Sequence, residues 1–279
     1  MNRPPLWRRM LQTPSAVTGL FLLVFIGLSC LIGPYLIAHD PIKQNLSEAL
    51  AASSSTHPLG TDGLGRDELV RLLSGGRYSM LLGVIAALIG IGVGLPVGAI
   101  SGFYGGRTDL VIQALTEVML SFPGILLALV LVAGLGVGLQ NVTIAVAIGS
   151  IPAFVRLARA SALTIRGLPY VESARAIGRR SHEIVLFHVV PNSLAPVIVH
   201  ATLQVGTAIV IAAGLGFLGL GVQPPTPEWG AMLGDSRNYI FRSPALSIFP
   251  GIAIFVVVVS FNLLGDGLRD ALDPRSVTR

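Results

Sequence analysis

Six apolar stretches, each long enough to cross a bilayer as a helix, constrain the fold of this chain more than any other feature. A hydrocarbon core about 30 Å thick is crossed by roughly 20 residues of helix. The stretches are Ala16–Ala38, Tyr78–Phe103, Leu110–Ala133, Val142–Leu163, Leu194–Leu220 and Leu246–Leu264. Strands of a membrane barrel are about ten residues long and alternate in polarity, and these runs do neither. The sequence therefore predicts an all-α membrane protein with six transmembrane helices.

The composition supports a chain that lies almost entirely in the membrane. Only 12% of the residues are charged and 52% are hydrophobic, whereas an average soluble domain carries about 25% charged residues. The first apolar run is too long for the core of a cleavable signal peptide, so it is interpreted as a retained span. A single cysteine, Cys30, excludes a disulfide framework and a cysteine-based metal site.

The distribution of basic residues predicts how the chain is oriented. If the N-terminus is cytoplasmic and six spans alternate, the inner segments hold thirteen of the 19 Lys and Arg residues and the outer segments hold six. An excess of basic residues marks the cytoplasmic side. Both termini are therefore predicted to be cytoplasmic, and the basic excess requires no nucleic-acid partner.

Two regions are distinguished along the chain. Residues 1–77 comprise an N-terminal cytoplasmic segment, the first transmembrane helix and an extracytoplasmic segment, and residues 78–279 contain the other five helices. A long cytoplasmic loop occupies about residues 164–191. The sequence lacks the G-x-x-x-x-G-K-[ST] loop that cradles nucleotide phosphates, and it lacks the H-E-x-x-H and G-x-S-x-G motifs of hydrolases. These absences indicate a non-catalytic protein.

The cytoplasmic loop contains the most polar stretch between two apolar runs, "YVESARAIGRRSHEIVLFHVVPNS", Tyr170–Ser193. The pattern predicts two short helices on the membrane surface. Gly178 is expected to end the first helix in a left-handed conformation, and Ser181 to cap the second. Pro191 is expected to mark the entry to the fifth span. From charge alone, an ordinary basic loop that fixes orientation is the alternative.

The spacing of this loop resembles a known motif. Glu172–Ala174, then Gly178 and then Pro191 are similar to the EAA loop of ABC-importer permeases that work with a binding protein. That loop reads Glu-Ala-Ala, three residues, Gly, nine residues and Ile-x-Leu-Pro. Here a serine replaces the middle alanine, and His188 and Val190 replace the isoleucine and leucine.

Three further motifs extend the resemblance over essentially the whole chain after the first span. They are "HPLGTDGLGRD" (His57–Asp67), "GFLGLGVQPPTPEWGAML" (Gly216–Leu233) and "FNLLGDGLRDALDPR" (Phe261–Arg275). They resemble the dipeptide, oligopeptide and nickel permease family, and within it the C-type subunit. The resemblance implies the six-helix fold of type I ABC importer permeases and a multi-pass location in a bacterial inner membrane.

The resemblance also implies partners and cargo. The expected partners are a homologous B-type permease, two cytoplasmic ATPase subunits, an extracytoplasmic substrate-binding protein and membrane lipid. ATP and Mg²⁺ are expected on the ATPase subunits, and no cofactor on this chain. Di- and oligopeptides, glutathione included, are the expected cargo, with nickel or a nickel complex as the alternative. A stand-alone secondary transporter is a remote alternative. Such a transporter predicts charged residues at the middle of the membrane and often an inverted repeat, whereas this sequence has one intramembrane acid and no visible repeat.

By resemblance, the loop couples the permease to an ATPase. The residues assigned to this role are Val171, Glu172, Ser173, Ala174, Arg175, Gly178, Arg179 and Pro191. Val171 and Ile177 are expected to fill an apolar cleft on the ATPase, and Ala174 to allow close approach. The charged members are expected to pair at the rim of that cleft, which fixes register more than affinity.

The remaining candidates lie in the third span and in the two long outer segments. Glu117 lies near Pro123, where a proline kink is expected, and is an ionisable residue at membrane depth. A structural hydrogen bond near that kink, lining of the pathway and proton coupling are the alternatives for its role. By resemblance, the two long outer segments form an extracytoplasmic gate or a docking surface for the binding protein. The residues assigned to this role are Gly60, Asp62, Arg66, Asp67, Pro225, Glu228 and Trp229. Trp229 is equally interpreted as an interfacial anchor.

No metal site is predicted from the sequence. His39 and His57 lie close to the outer motif but are isolated from each other and lack the spacing of metal ligands. Both are expected to face solvent.

Overall fold

The computed structural model describes residues 5–37 and 39–272, so the end of the C-terminal motif lies outside the described residues. Within these ranges the chain forms helices and connecting segments, with one isolated bridge between Thr61 and Asp67. The helices are α1 (Leu6–Leu11), α2 (Pro14–Leu36), α3 (Glu68–Tyr104), α4 (Gly106–Leu120), α5 (Gly124–Leu135), α6 (Leu139–Ile165), α7 (Pro169–Ala176), α8 (Ser181–Ile184), α9 (Val190–Phe217), α10 (Trp229–Ser236) and α11 (Ala245–Leu272). Short 3₁₀ turns occupy Leu46–Glu48 and Arg237–Tyr239, and a π-helical turn, Val185–Val189, joins α8 to α9.

Helices α3 and α6 form the most extensive helix pair, because glycines recur every four residues on the contacting face of α3. These glycines are Gly90, Gly94, Gly98 and Gly102. A Cβ atom at Gly90 would lie 2.5 Å from Ser150 Oγ, and one at Gly102 would lie 2.5 Å from Arg159 O. Small residues let helix backbones approach closely within a membrane. Since the register increases in the same direction along both helices, α3 and α6 run parallel.

Parallel packing of α3 and α6 requires the chain between them to return across the bundle. Helices α4 and α5 make this return, and they meet at an angle of 90°. The break lies at Ser121–Pro123, where Pro123 lacks the N–H that a continuous helix needs. The third predicted span, residues 110–133, is therefore a pair of helices with a sharp break and not one kinked helix. With the five long apolar helices, the bent pair gives six crossings.

Three of the long helices extend well beyond their predicted bounds, and α11 is one of them, since it ends at Leu272 rather than Leu264. Helix α3 begins at Glu68 rather than Tyr78, because the Asp67 carboxylate caps it by accepting a hydrogen bond from the Val70 N–H. The fifth span is continuous from residue 181 to residue 217. Pro191 does not interrupt it, because the wider π-helical turn that precedes this proline relieves the missing intrahelical hydrogen bond.

The crossings place the connecting segments at two ends of the bundle. One end carries residues 105–106 and the predicted coupling loop, residues 166–180, and is called the loop end. There Arg166 Nη1 donates to Gly102 O over 3.1 Å. The loop end also carries the two ends of the described chain, since Ala16 lies against Gly267 and α1 packs on α11. The far end carries residues 39–67 and 218–244. The predicted coupling and outer motifs therefore lie at opposite ends.

Candidate functional site

Helix α7 is fixed to the bundle by one face. Val171 is 0% exposed and Ala174 is 6% exposed. Both pack in a cluster with Phe103 at the end of α3, Ile165 at the end of α6 and Ile184 in α8. Because the helix contacts three elements of the core, it is expected to move with them as one body.

The opposite face of α7 and the turn after it project away from the bundle. The exposed residues include Glu172, Ser173, Arg175, Ile177, Gly178, Arg179 and Arg180. Ile177, the large apolar residue of the turn, is 80% exposed. Arg175 lies 5.0 Å above the ring of Phe103, which holds its guanidinium at the edge of the exposed face.

Gly178 ends the helix as predicted. Its φ is +84°, and its N–H donates to Arg175 O over 2.9 Å. The Arg179 N–H donates to Ala174 O over 3.0 Å. These two bonds form the Schellman motif, in which a left-handed residue satisfies the last carbonyl groups of a helix. The predicted cap at Ser181 is wrong, because Arg180 holds the N-cap position and Ser181 is the first helical residue.

The structure corrects the prediction of which apolar residues of this loop are available to a partner protein. Val171 and Ala174 are covered by the chain itself, so neither is available to a cleft on another protein. Among the apolar residues assigned to that contact, Ile177 is exposed. Pro191 lies in the first turn of α9, at the predicted entry to the fifth span, and its side chain is exposed.

At the far end, the first of the two outer motifs, His57–Asp67, takes part in a buried ionic network. Asp62 Oδ2 lies 2.6 Å from Arg66 Nε and 3.3 Å from Arg71 Nε. Arg66 Nη2 lies 3.6 Å from Asp235 Oδ2, which joins the 39–67 and 218–244 segments. Gly60, with a φ of +79°, makes the turn that begins this arrangement. Asp62, Arg66 and Arg71 are each at most 8% exposed, so these three side chains form an internal framework and are not available as docking contacts.

The second outer motif is also internal. Glu228 caps α10, because its Oε2 accepts a hydrogen bond from the Ala231 N–H over 3.0 Å. Its other oxygen, Oε1, accepts from Ser79 Oγ of α3 over 2.7 Å. Trp229 Nε1 donates to Leu72 O over 2.8 Å. Trp229 is 1% exposed, so its interpretation as an interfacial anchor is wrong. Among the residues of this motif assigned to the gate, only Pro225 is exposed.

A cavity of about 420 Å³ lies between the two outer motifs. Its polar lining includes Asp62, Arg66, Glu68, Arg71 and Asp235, and its apolar lining comes from the end of α9 and from α10. Acidic and basic side chains therefore both line this cavity at the far end of the bundle.

The two candidates in the third span lie at the surface of the chain. Glu117 and Pro123 are exposed, on either side of the bend between α4 and α5. Pro123 is the N-cap residue of α5, so the predicted kink is a complete break. An exposed acid on α4 is available to a second chain or to the pathway. The structure describes no surrounding core that would bury it.

The expectation that His39 and His57 are isolated and face solvent is wrong. Their rings stack with centroids 4.8 Å apart, and both Nδ1 atoms lie close to Asp67. Sequence spacing could not show this, because a segment folded through several turns brings them together.

Sequence reasoning missed the residues that set the closest helix contacts. Glycines at intervals of four along α3 were the available signal for the packing of α6. Gly76 is a further case, because a Cβ atom there would lie 2.7 Å from Trp229 Cζ2. Its importance depends on where Trp229 is placed, and no local pattern reveals that.

Comparison with family models identifies two matches. Residues 94–278 match the model described as "Binding-protein-dependent transport system inner membrane component". Residues 6–53 match the model described as "N-terminal TM domain of oligopeptide transport permease C".

Curated relatives align over nearly the full chain. The glutathione transport system permease protein GsiD of Pectobacterium atrosepticum is 45% identical over 271 residues, which cover 96% of this chain and 90% of GsiD. The dipeptide transport system permease protein DppC of Alkalihalophilus pseudofirmus is 43% identical, with coverage of 96% and 88%. The probable D,D-dipeptide transport system permease protein DdpC of Escherichia coli is 42% identical, with coverage of 95% and 89%.

Solved structures share the fold at low identity. An inward-facing form of the MetNI methionine ABC transporter matches with a TM-score of 0.59 and 21% identity, covering 72% of this chain and 96% of the matched chain. An amino acid ABC transporter matches with a TM-score of 0.56 and 18% identity, covering 72% and 94%. The fold is therefore that of type I ABC importer permeases. The chain belongs to the family of binding-protein-dependent transport system inner membrane components, the non-catalytic membrane permeases of ABC importers.

Proposed function

We propose that this chain forms half of a translocation pathway for di- or oligopeptides, glutathione included. A homologous permease would supply the other half, two cytoplasmic ATPase subunits the energy, and an extracytoplasmic binding protein the cargo. The cargo class is supported by relatives named for glutathione, dipeptide and D,D-dipeptide transport, each at least 42% identical.

The observation that carries the coupling role is the two-sided character of α7. One face is buried against α3, α6 and α8, and the other presents Glu172, Arg175 and Ile177 to another surface. Ile177 would enter an apolar cleft on an ATPase subunit, while the charges set its register. Closure of two ATPase subunits around ATP would move α7 and the packed helices together, as in rigid-body switching.

The positive-inside rule favours a cytoplasmic loop end. That end carries Arg107, Arg159 and Arg166 as well as the arginines of the coupling loop. The far end, with its cavity of about 420 Å³, would then face the binding protein. Exposed apolar residues such as Phe21 and Phe25 on α2, and Leu115 on α4, offer surfaces to lipid or to the second permease.

Reconstitution of the complete transporter tests this function. Vesicles that contain both permeases, ATP-loaded ATPase subunits and external binding protein should accumulate a labelled dipeptide or glutathione. Vesicles that contain this chain alone should accumulate neither. Accumulation of Ni²⁺ without peptide would contradict the cargo class, and uptake by this chain alone would contradict the coupled mechanism.

A further inference from the structure

Two histidines from separate parts of the far end meet at one carboxylate. Nδ1 of His39 lies 3.1 Å from Asp67 Oδ2, and Nδ1 of His57 lies 2.7 Å from the same oxygen. The three ligand atoms all lie within 4.8 Å of one another. We propose that His39, His57 and Asp67 bind a divalent first-row transition-metal ion such as Zn²⁺ or Ni²⁺.

The ligand set and its dimensions suit such an ion. Zinc binds imidazole nitrogen and carboxylate oxygen at about 2.0–2.2 Å, so neighbouring ligands of a tetrahedral ion are about 3.3 Å apart. The two nitrogen–oxygen separations of 3.1 Å and 2.7 Å lie just below this value, and the three ligand atoms lie within 4.8 Å of one another, so a rearrangement of the two rings would admit the ion. Two imidazoles favour a transition metal over Mg²⁺ or Ca²⁺, which prefer oxygen ligands.

The protons also balance. In the neutral tautomer that makes these hydrogen bonds, each Nδ1–H donates to Asp67. Binding of the ion at Nδ1 requires that proton to move to Nε2 through water, so each imidazole stays neutral and no proton is gained or lost. His57 Nε2 lies 3.6 Å from Glu48 Oε2, so a movement of about half an ångström would let Glu48 accept that N–H. A carboxylate behind a ligating histidine fixes its tautomer and raises its basicity.

The surrounding structure holds the ligands in place. Asp67 Oδ1 accepts from the Val70 N–H over 2.9 Å, which leaves Oδ2 for the ion. His57 is held in a turn, because its N–H donates to Ser54 Oγ over 3.0 Å and its carbonyl accepts from the Ser54 N–H over 2.9 Å.

The cluster is accessible from one side. The His39 side chain is 36% exposed and that of Asp67 is 2% exposed. An ion would therefore enter beside His39, and water would complete its coordination.

Cobalt binding to the nucleotide-free, chelator-treated transporter tests this site. Co²⁺ serves as the probe, because its visible spectrum reports nitrogen and oxygen ligands. We expect one Co²⁺ per copy of this chain, displaced by Zn²⁺. His39→Gln should weaken Co²⁺ binding at least about tenfold. Removal of a group that only hydrogen-bonds to a metal ligand already weakens metal binding by about tenfold or more, and His39 would be a ligand itself. His57→Gln should have a similar effect.

The control is His182→Gln, which removes an exposed histidine of α8 at the loop end and should leave the spectrum unchanged. If His57→Gln fails to fold, the partly exposed His39 still decides the matter. The proposal is overturned if the unaltered protein gives no Co²⁺ spectrum, or if His39→Gln binds Co²⁺ as tightly as the unaltered protein. The readout requires no transport, so the outcome is independent of the proposed cargo.

Discussion

Arg159 in α6 and Asp109 in α4 form a two-point ion pair. Arg159 Nε donates to Asp109 Oδ1 over 2.6 Å, and Nη2 donates to Oδ2 over 2.7 Å. Ser101 Oγ of α3 donates to the same carboxylate over 2.5 Å, and Gln113 Nε2 donates to Ser101 Oγ over 3.0 Å. Three helices thus meet at one acid at the loop end, close to the base of the coupling loop.

Removing this pair should loosen the loop end. We expect Asp109→Asn to lower the free energy of unfolding by about 1–2 kcal/mol, because partial exposure of both side chains keeps the loss below that of a fully buried charge pair. A double-mutant cycle with Arg159→Ala, measured by unfolding in detergent, would isolate the coupling energy. Additive effects of the two changes would contradict a direct contribution from the pair.

The glycine face of α3 gives a second prediction. A Cβ atom at Gly98 would lie 2.7 Å from Ala158 Cβ and 3.0 Å from the Arg159 backbone nitrogen. We therefore expect Gly98→Ala to destabilise the protein by about 1–3 kcal/mol through overpacking. Gly92→Ala on the same helix is the matched control, since a Cβ atom there has no neighbour within 4 Å. Equal thermal stabilities of the two variants would refute the close approach of α3 and α6.

Gly178 gives a third prediction. A Cβ atom there has no neighbour within 4 Å, so any cost of substitution comes from the φ of +84° and not from a clash. Gly178→Val should cost about 1–3 kcal/mol locally, because β-branched residues strongly disfavour this conformation. We expect assembly in the membrane to persist while coupled ATP hydrolysis and uptake fall.

Two matched variants separate backbone strain from loss of glycine. Gly178→Asn should retain most activity, because asparagine tolerates the left-handed region. Gly167→Ala, in the same loop, has room for a Cβ atom and should be neutral. Normal transport by Gly178→Val would refute the role of this turn as part of a lever.

Glu228 gives a fourth prediction. Its carboxylate accepts from both Ser79 Oγ and the Ala231 N–H within a buried site. Glu228→Ala leaves those donors unsatisfied and should cost about 1–3 kcal/mol. Glu228→Gln keeps one acceptor oxygen and should cost less. Thermal unfolding would rank the two variants, and a more stable alanine variant would contradict this hydrogen-bond assignment.

The long apolar helices could be predicted, because hydropathy alone determines which segments leave water. The predicted spans that became α2 and α6 agree with the observed helices to within three residues at each end. The break at Pro123 was signalled only as a kink, since a proline in a span is compatible with either outcome. Helix α3 extends to Glu68, outside the apolar run, because the Asp67 cap and the neighbouring buried ion pairs stabilise this first part of the helix.

The candidate sites were less predictable, because a local pattern does not identify the surface that covers a side chain. Val171 reads equally well as a residue for a partner's cleft or for the chain's own core, and the fold places it in the core. Glu228 and Trp229 were assigned to a docking surface for the same reason. His39 and His57 meet only after the 39–67 segment has folded.

Site-directed cross-linking of the assembled transporter tests the central claim most directly. The single native cysteine, Cys30, is buried, and Cys30→Ala provides the background. A thiol-to-amine cross-linker attached in Ile177→Cys should join this chain to an ATPase subunit, and the yield should change when ATP closes the ATPase pair. Ser53→Cys, exposed at the far end, should give no ATPase adduct. Equal yields from the two positions, or no ATPase adduct from residue 177, would contradict the account.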